Sequence, residues 1–381
     1  MNAAARAGVA PAGAAPPTAA APHAGVVRPP AGPWIISAAQ DLLWFQGSVL
    51  AGIALLLFFH FAPAVAADQP AAQPALLMLL LWGVLFDGTH VMGTWARSYL
   101  APDAAARAGL PDLRWLGLLA VGPALAVIDH LVSPAGAAAP TGGPLFALFL
   151  LGALLWAYFH LVRQHGGFVA LYRRRAPHDP APARLDEAIL WLGCLYPFVR
   201  FSLTPAYASA GLPQLLPPAF LGEARLALDL ACLLGALVLA AIWLRRGGHR
   251  ACGPKHLLLV IVIGFHTAVF ALLTDLLAIT ATLTIFHNLQ YHRIVWQHEA
   301  GKGRRPLGGL PRYLLAGLAL GALWYVPRVL GSHVAGPGLL RNVLLGLGWG
   351  VAFHHYLVDG RIWRRRRSPA VTRALDAGAR S

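Results

Sequence analysis

The sequence predicts an all-α membrane protein, a polytopic helix bundle of about ten transmembrane helices with both termini cytoplasmic. Three observations predict it. Of 381 residues, 57% are hydrophobic and only 12% charged, with mean hydropathy +0.60; a soluble domain carries about 25% charged residues. The apolar residues form runs of roughly twenty, the length that crosses the hydrocarbon core of a bilayer. The basic residues fall between those runs. Segments 97–114, 163–184, 245–255, 293–312 and 361–381 hold 3, 5, 4, 5 and 7 of the 30 Lys/Arg, and the alternate connections hold only Arg225, Arg328 and Arg341. This is the positive-inside pattern. It also argues against nucleic acid as a partner, because the net charge of +15 is dispersed over short loops instead of gathered in one stripe. Cys194, Cys232 and Cys252 form neither a C-x-x-C pair nor a disulfide framework and read as small apolar groups.

Residues 1–33 are rich in Ala, Pro and Gly, lack a continuous apolar run and are expected to form a disordered tail, not a signal peptide. The helical domain covers 34–365, followed by a basic cytoplasmic tail over 366–381. Span one runs over 38–62, span two over 75–97, span three over 114–133 and span four over 144–165, where Gly166-Gly167 signals an ending. Span five, 187–208, is interrupted by Pro197 and Pro205, and span six covers 223–244. From His256 to Trp296 run 41 residues without Pro. One straight helix of that length would be about 60 Å long, twice the hydrocarbon thickness. The stretch is therefore spans seven and eight, turning near Thr274-Asp275. Span nine (312–331) and span ten (339–360) complete the set, and Arg364–Arg367 open the tail.

Four of these spans end alike. His90, His160, His287 and His355 lie 7, 3, 6 and 6 residues before the first arginine that follows each of them. At the helical rise they share one layer, roughly 5–10 Å inside the cytoplasmic boundary. His165, His292 and His354 lie close by, so seven imidazoles are candidate metal ligands. Neutral imidazole ligates iron, copper and zinc, and facing helices of a bundle are a common framework for such sites. Asp87 (three before His90) and Asp359 (four after His355) share helix faces with those histidines and are candidate ligands or orienting groups. Gln164, Asn288 and Tyr291 are candidates for the surrounding hydrogen bonds. His160/His165 and His287/His292 are five apart, about 140° on a regular helix. Both members reach one site only if the helix ends, bulges or brackets two metals. An interfacial histidine is also an ordinary headgroup contact, and Tyr291, Trp296, Trp349, Tyr356 and Trp363 suit an aromatic belt.

Charges and a histidine deep in apolar segments, Arg200, His266 and Asp275, mark a candidate substrate path, with Arg200 and Asp275 able to pair. His298-Glu299 reads as a solvated cytoplasmic pair, and His60, His130 and His333 fall on the outer side.

His160-x4-His165 and His287-x4-His292 resemble the HX3–4H boxes of the integral-membrane histidine-box oxygenases, the fatty-acid desaturases, hydroxylases and alkane monooxygenases. His354-His355 resembles the HH of their HX2–3HH box, without its earlier histidine, and ten spans exceed that family's usual number. The membrane-bound carotene-cleaving dioxygenases are similar in being small, polytopic and histidine-dependent. The resemblance implies one or two non-haem iron ions at the cytoplasmic side. It also implies O2-dependent desaturation, hydroxylation or cleavage of a lipid-soluble substrate, and an electron-donor protein. The bilayer implied is a bacterial inner membrane. Zinc and copper suit the same donors. A haem electron-transfer protein would use two to four of the histidines, and the chain has no C-x-x-C-H attachment. A metal- or proton-linked transporter would carry polar residues on across the membrane, where only Arg200, His266 and Asp275 lie.

Overall fold

The computed structural model describes residues 32–61, 73–102, 113–132, 142–209, 212–214, 216–250, 253–335, 338–363 and 369–378, and among these every regular element is helical. The expected tail before residue 32, Arg107 and Arg364–Arg367 lie outside the described residues, as do the side chains of Arg114, Arg328 and His333. The long helices are α1 (Ala38–Phe61), α2 (Leu76–Arg97), α3 (Trp115–Val132), α4 (Pro144–Arg175), α5 (Ala183–Ser202) and α6 (Leu221–Arg245). They continue with α7 (Gly253–Leu272), α8 (Leu276–Ala300), α9 (Leu310–Ala335) and α10 (Leu339–Ile362), and a short α11 (Pro369–Gly378) follows. Six of them, α1–α4, α6 and α7, are long and apolar enough to cross a membrane.

Helix starts are fixed by short polar side chains. Ser37 accepts from Gln40 N at the head of α1 (3.3 Å), and the buried Asp41 carboxylate accepts from Ile35 and Ile36 N at 2.6 and 3.0 Å. Asp129, near the end of α3, accepts from Phe146 N (2.7 Å) and so caps the next helix across a loop. The 256–296 stretch does divide. Only Leu273–Asp275 leave the helix, and Asp275 caps α8 by accepting from Ala278 N at 2.7 Å. A carboxylate so used is a turn signal, although the surrounding sequence offers neither Gly nor Pro.

Two expectations are corrected. First, α4 does not stop at Gly166-Gly167 but runs on to Arg175. Glycine costs about 1 kcal/mol against alanine in a helix. The next turns bury Phe168, Val169 and Tyr172, each worth about 1.5–3 kcal/mol, and that outweighs it. Second, Arg200 does not meet Asp275. It donates to Asp229 of α6 at 3.0 Å on a half-exposed face, because α5 packs against α6 while Asp275 is engaged at its own cap.

Two close crossings set the frame of the interior. A Cβ at Gly122 would stand 2.6 Å from Gly346 Cα, so α3 and α10 touch backbone to backbone. Gly88 of α2 and Gly321 of α9 meet in the same manner. Small residues at such points let membrane helices gain packing contacts where apolar burial drives nothing. A π-helical turn, Gly83–Asp87, lies just before Gly88 and re-aims the side chains that follow it.

Candidate metal centre

The even-numbered helices α2, α4, α8 and α10 bring His90, His160, His287 and His355 together. The Nε2 atoms of His90 and His355 stand 2.8 Å apart, and those of His287 and His90 3.3 Å apart. The ring of His160 lies 5.2 Å, centre to centre, from both His287 and His355. Asp359, one turn beyond His355, turns its Oδ2 toward the same point, 3.7 Å from His355 Nε2 and 3.9 Å from His160 Nε2. One ligand atom each from His90, His160, His355 and Asp359 lies within 4.8 Å of all the others. Two nitrogens each about 2.0–2.1 Å from one ion stand roughly 3.0–3.4 Å apart, depending on the angle between them. The His287–His90 spacing falls in that range and the His90–His355 spacing lies just below it. His160 Nε2 is buried and has no hydrogen-bond partner, an orphaned donor atom aimed where an ion would sit.

The surrounding bonds explain the orientation of the rings. Thr94 Oγ1 donates to Asp359 Oδ1 at 2.9 Å and lies 2.8 Å from His355 Nδ1. With its one proton on the carboxylate, the hydroxyl can only accept from His355 Nδ1–H. That tautomer leaves the Nε2 lone pair facing the cluster, as a ligand requires. Tyr291 donates to Asp359 Oδ1 at 2.6 Å, and Trp363 Nε1 donates to Tyr291 at 3.4 Å. Asp359 is thereby held by two hydroxyls while its other oxygen remains directed inward. Thr94 escaped the sequence reading, though it sits one turn after His90 on the same face, and Trp363 entered it only as an aromatic-belt residue.

The other candidates are placed elsewhere. His165 turns away, its ring 5.7 Å from His266 and 5.1 Å from Phe286, because uninterrupted α4 points it about 140° from His160. His292 is likewise turned from His287, lying 2.7 Å from Tyr313 OH and 3.1 Å from Thr89 Oγ1. His354 faces Tyr99 OH at 3.0 Å. Asp87 is hydrogen-bonded by Tyr325, and Asn288 donates to it at 3.4 Å, so it is a structural acceptor beside the centre. Gln164 donates to the carbonyl of His287 at 2.9 Å and ties α4 to α8 at the level of the cluster. His266 meets Tyr158 OH at 2.8 Å. The His298–Glu299 pair, expected to be solvated, is buried; its members bond each other at 2.9 Å, with Arg304 on the far oxygen.

A cavity of about 780 Å³ begins at His90, His160, His287 and His355 and runs between apolar walls that include Trp82, Phe198, Phe270 and Trp349. Its other end reaches His60, Arg341 and the α7–α8 turn with Asp275. Along α10 the distance from Arg341 to His355 is fourteen residues, about 21 Å. Of the substrate-path candidates only Asp275 lines this space. No protein-family model matches this chain, and no curated protein or solved structure matches it significantly.

Proposed function

We propose that this chain is a ten-span metalloenzyme of a bacterial inner membrane, with both termini cytoplasmic, that oxidises a lipid-soluble substrate with O2 at a non-haem iron centre. His90, His160, His355 and Asp359 would hold the ion, with His287 completing the site. The observation that carries this reading is the convergence of imidazole nitrogens from four helices at one end of a largely apolar cavity. Imidazole and carboxylate donors suit iron, zinc or copper. We take iron because an apolar cavity suits a hydrocarbon chain, whose unactivated C–H bonds offer no group to hydrolyse and yield to oxidation. Bound there, iron would supply the activation of O2, which no side chain provides.

The chain's own residues do the rest. Apolar walls align a chain-like substrate and exclude water. Thr94 and Tyr291 orient His355 and Asp359, and an electron-donor protein would dock at the arginine-rich cytoplasmic face. The donor set is of a size for one ion, with His165, His292 and His354 set apart from it. Haem would use only two of these histidines and leave the others and Asp359 without a role, and the chain has no C-x-x-C-H attachment.

Elemental analysis with an optical spectrum of the purified protein tests this. The expected result is near-stoichiometric iron without a Soret band. His160→Ala and His355→Ala should retain less than about a tenth of that iron, and His292→Ala and His354→Ala most of it. A Soret band, or protein that holds no metal after expression in iron-replete medium, would contradict the reading.

A further inference from the structure

A second run of buried polar side chains lies between α1, α4, α7 and α8, outside the cavity. His165, His266 and Gln290 are 0% exposed, Tyr172 and Asp41 also 0%, and Gln46 2%. By helical rise they are graded in depth. Asp41 and Tyr172 lie near the ends of α1 and α4 that flank the arginine-rich segment, Gln46, Gln290 and His165 lie deeper, and His266 is deepest. Some of their bonds are made. Tyr172 hydrogen-bonds Asp41, Gln46 Nε2 donates to Tyr172 OH at 3.2 Å, and Gln290 Nε2 donates to Phe45 O at 2.7 Å. The π-helical turn Leu42–Gln46 loosens the carbonyl ladder of α1 beside Phe45.

His165 also meets the Gln290 amide. Other atoms have no protein partner. These are Gln46 Oε1, the second ring nitrogen of His165, His266 Nε2 and, where the run meets the metal centre, His287 Nδ1. An unsatisfied buried polar atom costs about 1–3 kcal/mol. Four in one strip are too costly to leave dry, and a water needs only two to four such partners.

We infer that this strip holds a chain of ordered water running from the cytoplasmic face to His287, where a water accepts the Nδ1–H and orients that ring as Thr94 orients His355. Its role at His287 rests on the metal reading above; its hydration does not. The two glutamine amides orient the water between.

X-ray radiolytic labelling of the full chain in detergent, read residue by residue by mass spectrometry, tests the inference, since buried water yields hydroxyl radicals where it sits. His165 and Tyr172 should label in spite of their burial. Gln290→Leu, which fills the strip, should lower His165 labelling at least fivefold, with the exposed His178 and the iron content unchanged. Gln46→Leu should do the same if Gln290→Leu fails to fold. An unlabelled His165 beside a normally labelled His178 would overturn the inference, as would a metal bound between His165 and His266. Labelling that persists in protein without iron would instead sink the enzyme reading and leave the strip intact.

Discussion

Thr94 shows how much of the candidate centre depends on one hydroxyl. It fixes the His355 tautomer and half of the Asp359 carboxylate, and no histidine count reveals it. Thr94→Val keeps the shape and removes both bonds, so metal affinity should fall about 10–100-fold; Thr94→Ser should restore it, and competition with a chelator measures both. The sequence made His90, His160, His287 and His355 legible through their common distance from the flanking arginines. It could not separate them from His165, His292 and His354, because depth in the membrane is one coordinate and helix facing is another. Facing became readable only once α4 and α8 proved unbroken.

His298, at the arginine-rich end of α8, carries a pH signature. Burial pushes its imidazole down to about 4 from an ordinary 6.5. The unfolded chain therefore takes up the proton more readily between those values. Stability is full above about pH 6.5 and is lost as pH falls toward 4, by roughly 3 kcal/mol at most. Thermal unfolding of the wild type should weaken over that range, and His298→Gln should lessen the dependence by that residue's share.

At the scale of elements, ten helices were legible from apolar runs and charge alternation, and even the α7–α8 hairpin followed from length alone. What the runs could not supply was the end of α4, where burial of Phe168 and Tyr172 overrides two glycines. Asp275→Ala removes the cap of α8 and should cost about 1 kcal/mol, measurable as a lower unfolding midpoint in mixed detergent, with iron retained. Gly321→Leu wedges α9 away from α2 at Gly88 and should displace His90. Loss of iron, together with lowered stability, is the expected outcome, whereas Gly264→Leu, whose added side chain meets nothing, should retain the metal.

The whole molecule unites a polar focus beside the arginine-rich face with an apolar cavity that extends some 21 Å toward the opposite side. On the proposed reading, electrons would come from one face and the lipid-soluble substrate from the other, by separate routes to the same ion. Single cysteines at Lys302 and the exposed His178 should react with impermeant thiol reagents only in inside-out vesicles, and one at Gln214 only in right-side-out vesicles. The measurement closest to the central claim is iron K-edge X-ray absorption on purified protein. Nitrogen and oxygen neighbours at about 2.0–2.2 Å, with the outer-shell scattering of three or four imidazoles, are the expected result. A porphyrin-like shell, or a spectrum without imidazole scattering, would contradict it.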